Sequence, residues 1–335
     1  MQLRLNRLFG CAVAALLAGT AAAAPTYGGS KPNFIVFGNS LTDVGNAAAL
    51  TNTPAYWQGR FTNSFVWNEY AAKLLGMTLV NRAYGGATSN NGLTPGAIAN
   101  VTIPSFRDQV SAWLAANPAP PLFNQINDVI EIEIGGNDLL NRLPALLAAA
   151  VDVPAFVAQL AASVAADAQR LRAAGYRNVR LWNLPSVDLG PLVVSVGAAP
   201  LIKPIVASIN AAVAAAVAPL GVRVLDLNAL NGVAMQPPVL AAMDIVDTTS
   251  ACLDVGPAGV AECANADQHF FYDGIHPASR MHYLWGVVSA MLERYPSTPI
   301  NAATVKNLVL AFNIGSSSRD DNIIVGCSQP APALI

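Results

Sequence analysis

The segment Asp273-Gly274-Ile275-His276-Pro277 places a carboxylate three residues before an imidazole. A serine hydroxyl is a weak nucleophile until a base takes its proton, and an imidazole serves as that base when a carboxylate holds its tautomer. Gly274 permits a tight turn, and Pro277 fixes the backbone directly after the imidazole. One short loop can therefore supply a general base, His276, and the acid that orients it, Asp273. The alternative is a histidine with a purely structural role in a loop.

A serine that such a pair could serve is Ser40, in the segment Gly38-Asn39-Ser40-Leu41-Thr42-Asp43. This segment follows an apolar run, Asn33–Phe37, that is typical of a buried strand. Ser40 is therefore expected in the loop at the carboxyl end of that strand, where such sheets present functional groups. Small polar residues of this kind also form ordinary turns and helix caps, so the segment alone fits both interpretations.

Two further segments contain groups that could donate hydrogen bonds to a developing oxyanion. Gly135-Gly136-Asn137-Asp138 offers the side-chain amide of Asn137, and Tyr84-Gly85-Gly86-Ala87 offers backbone N–H groups of glycines. Glycine lets the backbone approach a ligand closely, and preorganised N–H donors stabilise negative charge. Each segment is equally compatible with a simple turn.

A metal site is the other chemistry that these residue types could support. The chain has three histidines, and Asp273, His276 and His269 form the one combination that could hold an ion. No further histidine or carboxylate follows at ligand spacing, so neither a metal nor a cofactor is expected. His269 and His282 are expected in a loop and on a helix surface.

The elements that must position these groups alternate along the chain between short apolar runs and longer helical patterns. The predicted strands are Asn33–Phe37, Met77–Asn81, Val129–Ile134, Asn178–Leu184 and Val222–Leu227. The predicted helices are Phe65–Leu75, Ser105–Ala115, Pro154–Ala174, Leu201–Ala218 and Ser279–Leu292. Short apolar strands separated by amphipathic helices are typical of a parallel sheet that is covered on both faces.

This alternation predicts an α/β fold of three layers, with helices on both sides of the sheet. Ligands collect at the carboxyl ends of the strands in such sheets, which is where the segments described above emerge. No composition break divides residues 25–335, which are therefore expected to form one domain. Long loops at Gly85–Thr102 and Gln236–Asp273 are of the length usually found in functional or mobile segments.

The composition excludes several classes of protein. Of the 335 residues, 53% are hydrophobic and 11% are charged, which is too apolar for a disordered chain. Lys and Arg (18) and Asp and Glu (20) nearly balance at −2, and no basic block is present. The chain therefore lacks the electrostatic footprint that nucleic-acid binding requires.

The N-terminus has the pattern of a secretory signal peptide. Arg4 and Arg7 precede an apolar stretch, Leu8–Leu17, which is followed by small residues up to Ala24. We expect a signal peptide over residues 1–24 with cleavage in Ala21–Ala24, and a secreted, extracellular or periplasmic product. The stretch is shorter than the ~20 residues that a membrane span needs, so no stable membrane anchor is expected.

Cysteine usage fits an exported protein. Removal of residues 1–24 leaves Cys252, Cys263 and Cys327. The first two are close in sequence and are predicted to form a disulfide that restrains the segment before Asp273. Cys327 is either free or paired elsewhere.

The four polar segments, in this order along the chain, resemble the motifs of the GDSL family of lipases and esterases, also called SGNH hydrolases. The resemblance implies Ser40 as nucleophile and Asp273 and His276 as its partners. It also implies an oxyanion hole made of the Ser40 N–H, the Gly86 N–H and the Asn137 amide. The implied fold is a flavodoxin-like sheet of about five parallel strands.

The resemblance covers residues 33 to about 290, and it departs from the family pattern at one point, where Asn39 replaces the usual aspartate. The segment 59–64 is similar to the branch that contains secreted lipases, phospholipid acyltransferases and haemolysin-like phospholipases. This similarity implies a small-molecule or lipid ester as substrate, with cleavage through an acyl-enzyme. The tail, roughly 300–335, matches no motif.

Three alternatives to a lipid esterase remain open from the sequence. They are a phospholipase or acyltransferase, a sugar-ester deacetylase, and a catalytically silent secreted protein that binds a lipid or glycan. Several aromatic residues after the Ser40 loop could line an acyl pocket, although core packing is the commoner role for such residues. They are Tyr56, Trp57, Phe61, Phe65 and Trp67.

Overall fold

The computed structural model describes residues 31–51, 56–256 and 259–325. The predicted signal peptide, its cleavage site and Cys327 lie outside these residues.

The strands are β1 (Asn33–Gly38), β2 (Thr78–Asn81), β3 (Ala97–Ile98), β4 (Val101–Thr102), β5 (Val129–Glu133), β6 (Asn178–Trp182), β7 (Arg223–Leu225), β8 (Asp247–Ala251), β9 (Leu253–Gly256), β10 (Gly259–Glu262) and β11 (His269–Phe271). The helices are α1 (Asn46–Thr51), α2 (Trp67–Leu75), α3 (Phe106–Ala116), α4 (Leu122–Asn127), α5 (Gly136–Leu140), α6 (Leu143–Leu147), α7 (Val153–Ala173), α8 (Pro191–Ser195), α9 (Ala199–Val217), α10 (Leu227–Ala234), α11 (Pro237–Met243), α12 (Ser279–Arg294) and α13 (Ala302–Ala311).

The main sheet has five parallel strands in the order β2-β1-β5-β6-β7. Its two faces are covered by separate apolar layers, one formed with α3, α7 and α9 and the other with α2, α10, α11, α12 and α13. The predicted three-layer α/β fold is therefore confirmed. The chain adds β2 on one side of β1 and β5 on the other, and ligands in such sheets bind at the carboxyl ends of the strands where this reversal occurs.

Local sequence explains the long elements well. All five predicted strands and five predicted helices are present, with bounds that differ from the predicted ones by at most two residues. In α7 the Asp152 side chain caps the helix by accepting from the Ala155 N–H at 3.0 Å. Phe156, Leu160 and Val164 then recur at helical spacing and are buried against the sheet.

Helix α9 and the turn after it, Ala199–Leu220, are together long and apolar enough to cross a membrane by length and composition. One face of this segment is nevertheless packed into the protein core. Its buried residues are Ile202, Ile205, Val206, Ile209, Val213 and Val217. Helix α9 therefore serves as a core helix in this structure.

Three regions have more structure than the sequence indicated. The predicted loop after Gly85 contains the β3–β4 hairpin, and the predicted loop after Gln236 contains α11 and strands β8 to β11. The tail without a motif forms α13, from which Val305 and Val309 are fully buried in the second apolar layer. The tail therefore completes the core on the side of α12.

The predicted pair Cys252 and Cys263 is joined as a disulfide, with Cα atoms 5.0 Å apart. The bond ties the β9–β10 hairpin at its base. The Cys252 N–H donates to the Phe271 carbonyl at 3.3 Å, so the hairpin is also joined to β11, directly before Asp273. The disulfide thus lies where the sequence predicted a restraint.

The expectation for His282 is wrong. It was expected on a helix surface, but it lies on the inner side of α12 and is fully buried. Every residue of α12 from Ser279 to Leu292 is buried, because the helix is enclosed by other elements. Its polar residues have partners inside the protein, such as Ser289, which donates to Glu131 at 2.8 Å. The other histidine, His269, is expected in a loop but belongs to the short strand β11.

Candidate active site

Ser40 lies in the turn that follows β1, two residues beyond the last residue of the strand. The N–H groups of Thr42 and Asp43 both donate to the Asn39 carbonyl, at 3.1 and 3.0 Å, and this closes the turn. Gln109 on α3 fixes the end of β1. Its side-chain amide accepts a hydrogen bond from the Gly38 N–H and donates one to the Gly38 carbonyl. These contacts fix the backbone on which the Ser40 hydroxyl is carried.

His276 and Asp273 lie in the loop before α12, and His276 contacts Ser40 from there. His276 Nε2 is 2.7 Å from Ser40 Oγ, and His276 Nδ1 is 2.6 Å from Asp273 Oδ2. All three side chains are buried. Ser40 and His276 are 236 residues apart in sequence, and together with Asp273 they form one hydrogen-bonded chain.

The carboxylate of Asp273 is surrounded by donors. Its Oδ1 accepts from the N–H groups of Ile275 and His276, at 2.8 and 2.7 Å, and its Oδ2 also accepts from the Tyr56 hydroxyl at 2.7 Å. Burial alone would raise the pKa of Asp273. The charge of His276 and these hydrogen bonds outweigh burial and hold that pKa well below its usual range. Asp273 is therefore ionised at any pH at which the protein would work.

The glycine segment after β2 lies beside the Ser40 loop. Gly86 has a φ of 78°, a conformation that L side chains rarely adopt. A Cβ on Gly85 would lie 2.1 Å from the ring of Phe61, so that position has no room for a side chain. The Asp43 carboxylate accepts from the Gly85 N–H at 2.7 Å, and this bond joins the segment to the Ser40 loop.

The segment after β5 is tied to the same glycine segment. Asn137 Nδ2 donates to the Ala87 carbonyl at 2.8 Å, and Asp138 accepts from both the N–H and the hydroxyl of Ser89, at 2.8 and 2.7 Å. Burial raises the pKa of Asp138 to about 6, although the bonds from Ser89 oppose the rise. An amide nitrogen carries two hydrogens, so Asn137 retains an N–H for an acceptor in the pocket.

A pocket of about 690 Å³, including space open to solvent, lies beside Ser40. Most of its wall is apolar, and Ser40, Asn137 and His276 are at its polar side. The apolar wall is made of residues from the Ser40 loop, α5, the 185–190 segment, β11, the His276 loop and α12. They are Leu41, Leu140, Pro185, Val187, Leu189, Phe270, Phe271, Ile275, Pro277 and Trp285. An aliphatic group attached to an ester carbonyl would fit such a pocket.

The model of the GDSL-like Lipase/Acylhydrolase family matches residues 34–286 of this chain. The chain belongs to that family. The matched region contains all four polar segments, from the Ser40 loop to the Asp273–His276 loop, and the family predicted from the sequence is confirmed.

Two curated relatives and one solved structure show what this GDSL-family chain is similar to. The thermolabile hemolysin of Vibrio parahaemolyticus is 28% identical over 162 residues, which are 47% of this chain and 34% of that protein. The phosphatidylcholine-sterol acyltransferase of Aeromonas hydrophila is 27% identical over 173 residues, which are 48% of each chain. A carbohydrate acetylesterase from Sinorhizobium meliloti has a TM-score of 0.45 at 14% identity, and the match covers 79% of this chain and 100% of that one. The chain thus spans about a third to a half of the length of the curated relatives it matches.

The aromatic residues that follow the Ser40 loop in this GDSL-family chain are absent from the pocket wall. Trp67 is buried in the core, and Trp57 packs against Phe65 with ring centroids 4.9 Å apart. Phe61 instead packs beside the imidazole, with its ring centroid 5.2 Å from that of His276. The core interpretation therefore describes Trp67, with the partly buried Phe65 packed against the core, while Phe61 lies against the imidazole.

Sequence reasoning missed two residues that hold the site. From the sequence, Tyr56 is expected either in the pocket wall or in the core, and no role is expected for Gln109. Each acts on a residue far away in the chain, Tyr56 on Asp273 and Gln109 on Gly38. The sequence has no local pattern that indicates such contacts. The one available signal is Gln109, a polar residue on the otherwise apolar face of a predicted helix.

Proposed function

We propose that this chain is a carboxylic ester hydrolase in which Ser40 is the nucleophile, His276 the general base and Asp273 the residue that orients His276. The observation that carries the proposal is the continuous hydrogen-bonded chain from Ser40 Oγ through both ring nitrogens of His276 to Asp273 Oδ2, with distances of 2.7 and 2.6 Å. Both distances lie within the range in which a proton can be transferred. The position of Ser40 in the wall of a largely apolar pocket supports the same reaction.

The proposed reaction proceeds in two steps. Ser40 Oγ attacks the ester carbonyl carbon while its proton passes to His276 Nε2, and the carbonyl oxygen takes the negative charge. The tetrahedral intermediate then expels the alcohol, which receives the proton from His276. A water molecule attacks the acyl-enzyme in the same way and releases the acid. Asp273 keeps the Nδ1–H of His276 oriented and stabilises the imidazolium while the proton resides there.

We propose the Ser40 N–H, the Gly86 N–H and the Asn137 side-chain amide as the donors to the oxyanion. The hydrogen bonds from the Gly85 N–H to the Asp43 carboxylate and from Asn137 Nδ2 to the Ala87 carbonyl support this assignment, since they join the three segments at one edge of the sheet. One such donor typically contributes about 3–4 kcal/mol to the stability of the transition state. The reaction as written needs no metal or cofactor.

We propose an ester with an aliphatic acyl chain as the substrate class. The largely apolar wall of the pocket supports this choice, because burial of each methylene in such a wall contributes about 0.8 kcal/mol to binding. A sugar-ester deacetylase would gain little from so large an apolar surface. Nitrophenyl esters from acetate to palmitate discriminate the two, since activity that peaks at acetate would argue for deacetylation.

A second candidate function is acyl transfer from a phospholipid to an alcohol. It is favoured by the similarity to the phosphatidylcholine-sterol acyltransferase of Aeromonas hydrophila. Transfer differs from hydrolysis only in the acceptor that attacks the acyl-enzyme. Incubation with a phospholipid, with and without an added alcohol, distinguishes them through the ratio of new ester to free acid.

We also propose that the protein is exported. The signal-peptide pattern of residues 1–24 supports export, and so does the disulfide between Cys252 and Cys263, because disulfides persist in oxidising compartments. Expression with the full leader followed by mass measurement of the extracellular or periplasmic product tests this. A mature mass that still contains residues 1–24 would contradict it.

The substitution Ser40→Ala tests the assignment of the nucleophile. It should abolish hydrolysis of nitrophenyl esters and labelling by a fluorophosphonate, while the melting temperature changes little. Ser208→Ala is the matched control, because Ser208 is an exposed serine on α9. Full activity in Ser40→Ala would remove the assignment, and an unlabelled wild-type protein would favour the silent binding protein.

A further inference from the structure

The last residue of β5, Glu133, is a buried acid next to the proposed nucleophile. Alternate residues of a strand point to the same face, so Glu133 and Glu131 both point toward the layer that contains α12. Both side chains are almost completely buried, at 1% and 0% exposure. Glu133 pairs in register with Gly38 at the end of β1 and lines the same pocket as Ser40.

The two acids have very different partners. Glu131 forms an ion pair with Arg180 and accepts hydrogen bonds from Trp182 Nε1 at 2.7 Å and from Ser289 Oγ at 2.8 Å. Glu133 has no nitrogen of a basic side chain within 4.0 Å among the described residues. Its Oε1 accepts one bond of 3.3 Å from Asn39 Nδ2, and its buried Oε2 has no hydrogen-bond partner there.

A carboxylate in this environment would be a buried charge without a cation, with the Asn39 amide and the Thr42 hydroxyl as its neutral side-chain donors. Taking an ionised carboxyl out of water without a cation or several donors is strongly unfavourable, and such a group takes up a proton instead. The contrast with Glu131, which has a cation and two donors, indicates that Glu133 is the neutral acid of the two.

Asn39 joins this acid to the nucleophile turn. Its Oδ1 accepts from the Leu41 N–H at 2.9 Å, and its Nδ2 donates to Glu133, so the amide spans the turn that carries Ser40. Asn39 is also the position at which the family pattern usually has an aspartate. An aspartate here would place two carboxyl groups in direct contact, whereas asparagine supplies the donor that Glu133 lacks.

We propose that Glu133 is a positioning residue for Ser40: as a neutral carboxylic acid it holds the nucleophile turn through Asn39, and its ionisation slows the reaction at Ser40. This inference rests on the proposed ester hydrolysis at Ser40. Ionised Glu133 would place a negative charge on the wall of the pocket that Ser40 also lines, close to the oxyanion of the proposed reaction. This charge would destabilise the transition state and lower kcat.

Most of the remaining ionisable groups around Glu133 have hydrogen-bond or ion-pair partners of their own. On the elements packed around it these are Glu131 on its own strand with Arg180 on β6, Asp43 in the Ser40 loop, Asp138 on α5, Asp188 in the 187–189 turn, His276 with Asp273, and His282 on α12. Burial raises the pKa of Glu133 to about 7, and the Asn39 and Thr42 side chains oppose that rise. The ionisation thus falls within the range of an ordinary activity assay.

The first test is the pH profile of kcat/KM for nitrophenyl butyrate from pH 6 to 8.5, with Ser40→Ala as the blank and each enzyme scaled to its own value at pH 6. The scaled kcat/KM of the wild type should be about tenfold lower at one pH unit above the pKa of Glu133 than at pH 6. At that pH about one tenth of the Glu133 side chains remain protonated. Glu133→Gln cannot ionise and should lack this decline. The decline should appear in kcat more than in KM.

Asp128→Asn is the matched control for this profile. Asp128 directly precedes β5 and its pKa is likewise raised by burial, but it lies about 17 Å from Glu133 along the strand. Its profile should retain the alkaline decline. Superimposable profiles of wild type and Glu133→Gln would overturn the inference, and so would loss of the decline in Asp128→Asn.

The second test exchanges the two groups. Asn39→Ala removes both bonds of the amide and should lower kcat about tenfold. The double substitution N39D/E133Q restores an acceptor for the Leu41 N–H and an amide–carboxyl contact with the donor reversed. It should recover most of the lost kcat; a double variant no better than Asn39→Ala would overturn the inference. Activity that survives Ser40→Ala would instead remove the proposed function itself.

Discussion

The Tyr56 hydroxyl donates a 2.7 Å hydrogen bond to Oδ2 of Asp273, the same oxygen that contacts Nδ1 of His276. Tyr56 and Asp273 are 217 residues apart in sequence. Burial and the adjacent Asp273 charge raise the pKa of the Tyr56 hydroxyl, so it remains a donor at every working pH. The tyrosine therefore fixes the position of the carboxylate relative to the imidazole.

Tyr56→Phe should lower kcat about three- to tenfold with a smaller change in KM. The substitution removes one hydrogen bond to a charged group, which is typically worth about 1.5–3 kcal/mol, and water in the opened space replaces part of it. Steady-state kinetics on a nitrophenyl ester measure the effect. Tyr272→Phe is the control, because the Tyr272 hydroxyl contacts Glu262 at 3.2 Å and not Asp273. Equal losses in both variants would argue against a specific role for Tyr56.

Asn137→Ala should lower kcat about 100- to 1000-fold if the amide donates to the oxyanion. The donor acts on charge that develops in the transition state, so KM should change far less than kcat. Asn141→Ala is the control: Asn141 follows one helical turn later and donates to the Pro95 carbonyl at 3.1 Å. Loss of the bond from Asn137 to Ala87 should affect stability only modestly, which a melting curve checks. Unchanged kcat in Asn137→Ala would exclude this residue from the oxyanion hole.

The sequence predicted the fold because the decisive signals are local. Each strand of the main sheet is a short apolar run, and α7 has a cap, a proline in its first turn and one apolar face. The polar groups of the site follow directly after such strands, at Ser40 and Asn137, so the topology of a parallel sheet brings them to one edge. The pair Asp273 and His276 is local as well, since its members are three positions apart.

The features that the sequence did not reveal depend on contacts between distant residues. Strand β11 pairs with β8 through His269 and Asp247, and neither strand is long enough to show a period. Helix α12 is buried on all sides, so its polar residues look like a solvated face in the sequence. Arg280, for example, donates to the Met243 and Asp244 carbonyls inside the protein. Only the assembled structure supplies these partners.

Removal of the disulfide by the double substitution C252S/C263S should reduce the free energy of unfolding by about 2–3 kcal/mol. The hairpin that it closes is bonded to the loop of Asp273, since the Leu253 N–H donates to the Tyr272 carbonyl at 2.5 Å. Activity should therefore fall together with the melting temperature. A reductant should lower the melting temperature of the wild type and leave that of the double variant unchanged. A similar decrease in both proteins would show that the reductant acts on something other than the bond between Cys252 and Cys263.

His282 should make the protein less stable at acid pH. Its Nδ1 accepts from the Trp67 N–H at 3.4 Å, and its buried Nε2 has no partner among the described residues. Burial, and to a smaller extent the charge of His276, lowers the pKa of His282 to about 3. The pKa of an unfolded histidine is about 6.5, so between these values the unfolded chain binds one more proton than the folded protein. The free energy of unfolding then falls by about 1.4 kcal/mol for each pH unit of acidification, from about 6.5 downward.

The substitution His282→Asn isolates this effect from that of other groups. Asparagine supplies an acceptor for the Trp67 N–H but cannot titrate, so its cost in packing is the same at every pH. Glu133, whose raised pKa acts in the opposite direction between about 7 and 4.3, contributes equally to both proteins and cancels. Urea unfolding at pH 7, 6, 5 and 4.5, followed by tryptophan fluorescence, should show the stability advantage of the wild type shrinking below pH 6.5. Parallel pH dependence in the two proteins would mean that His282 is protonated in the folded state.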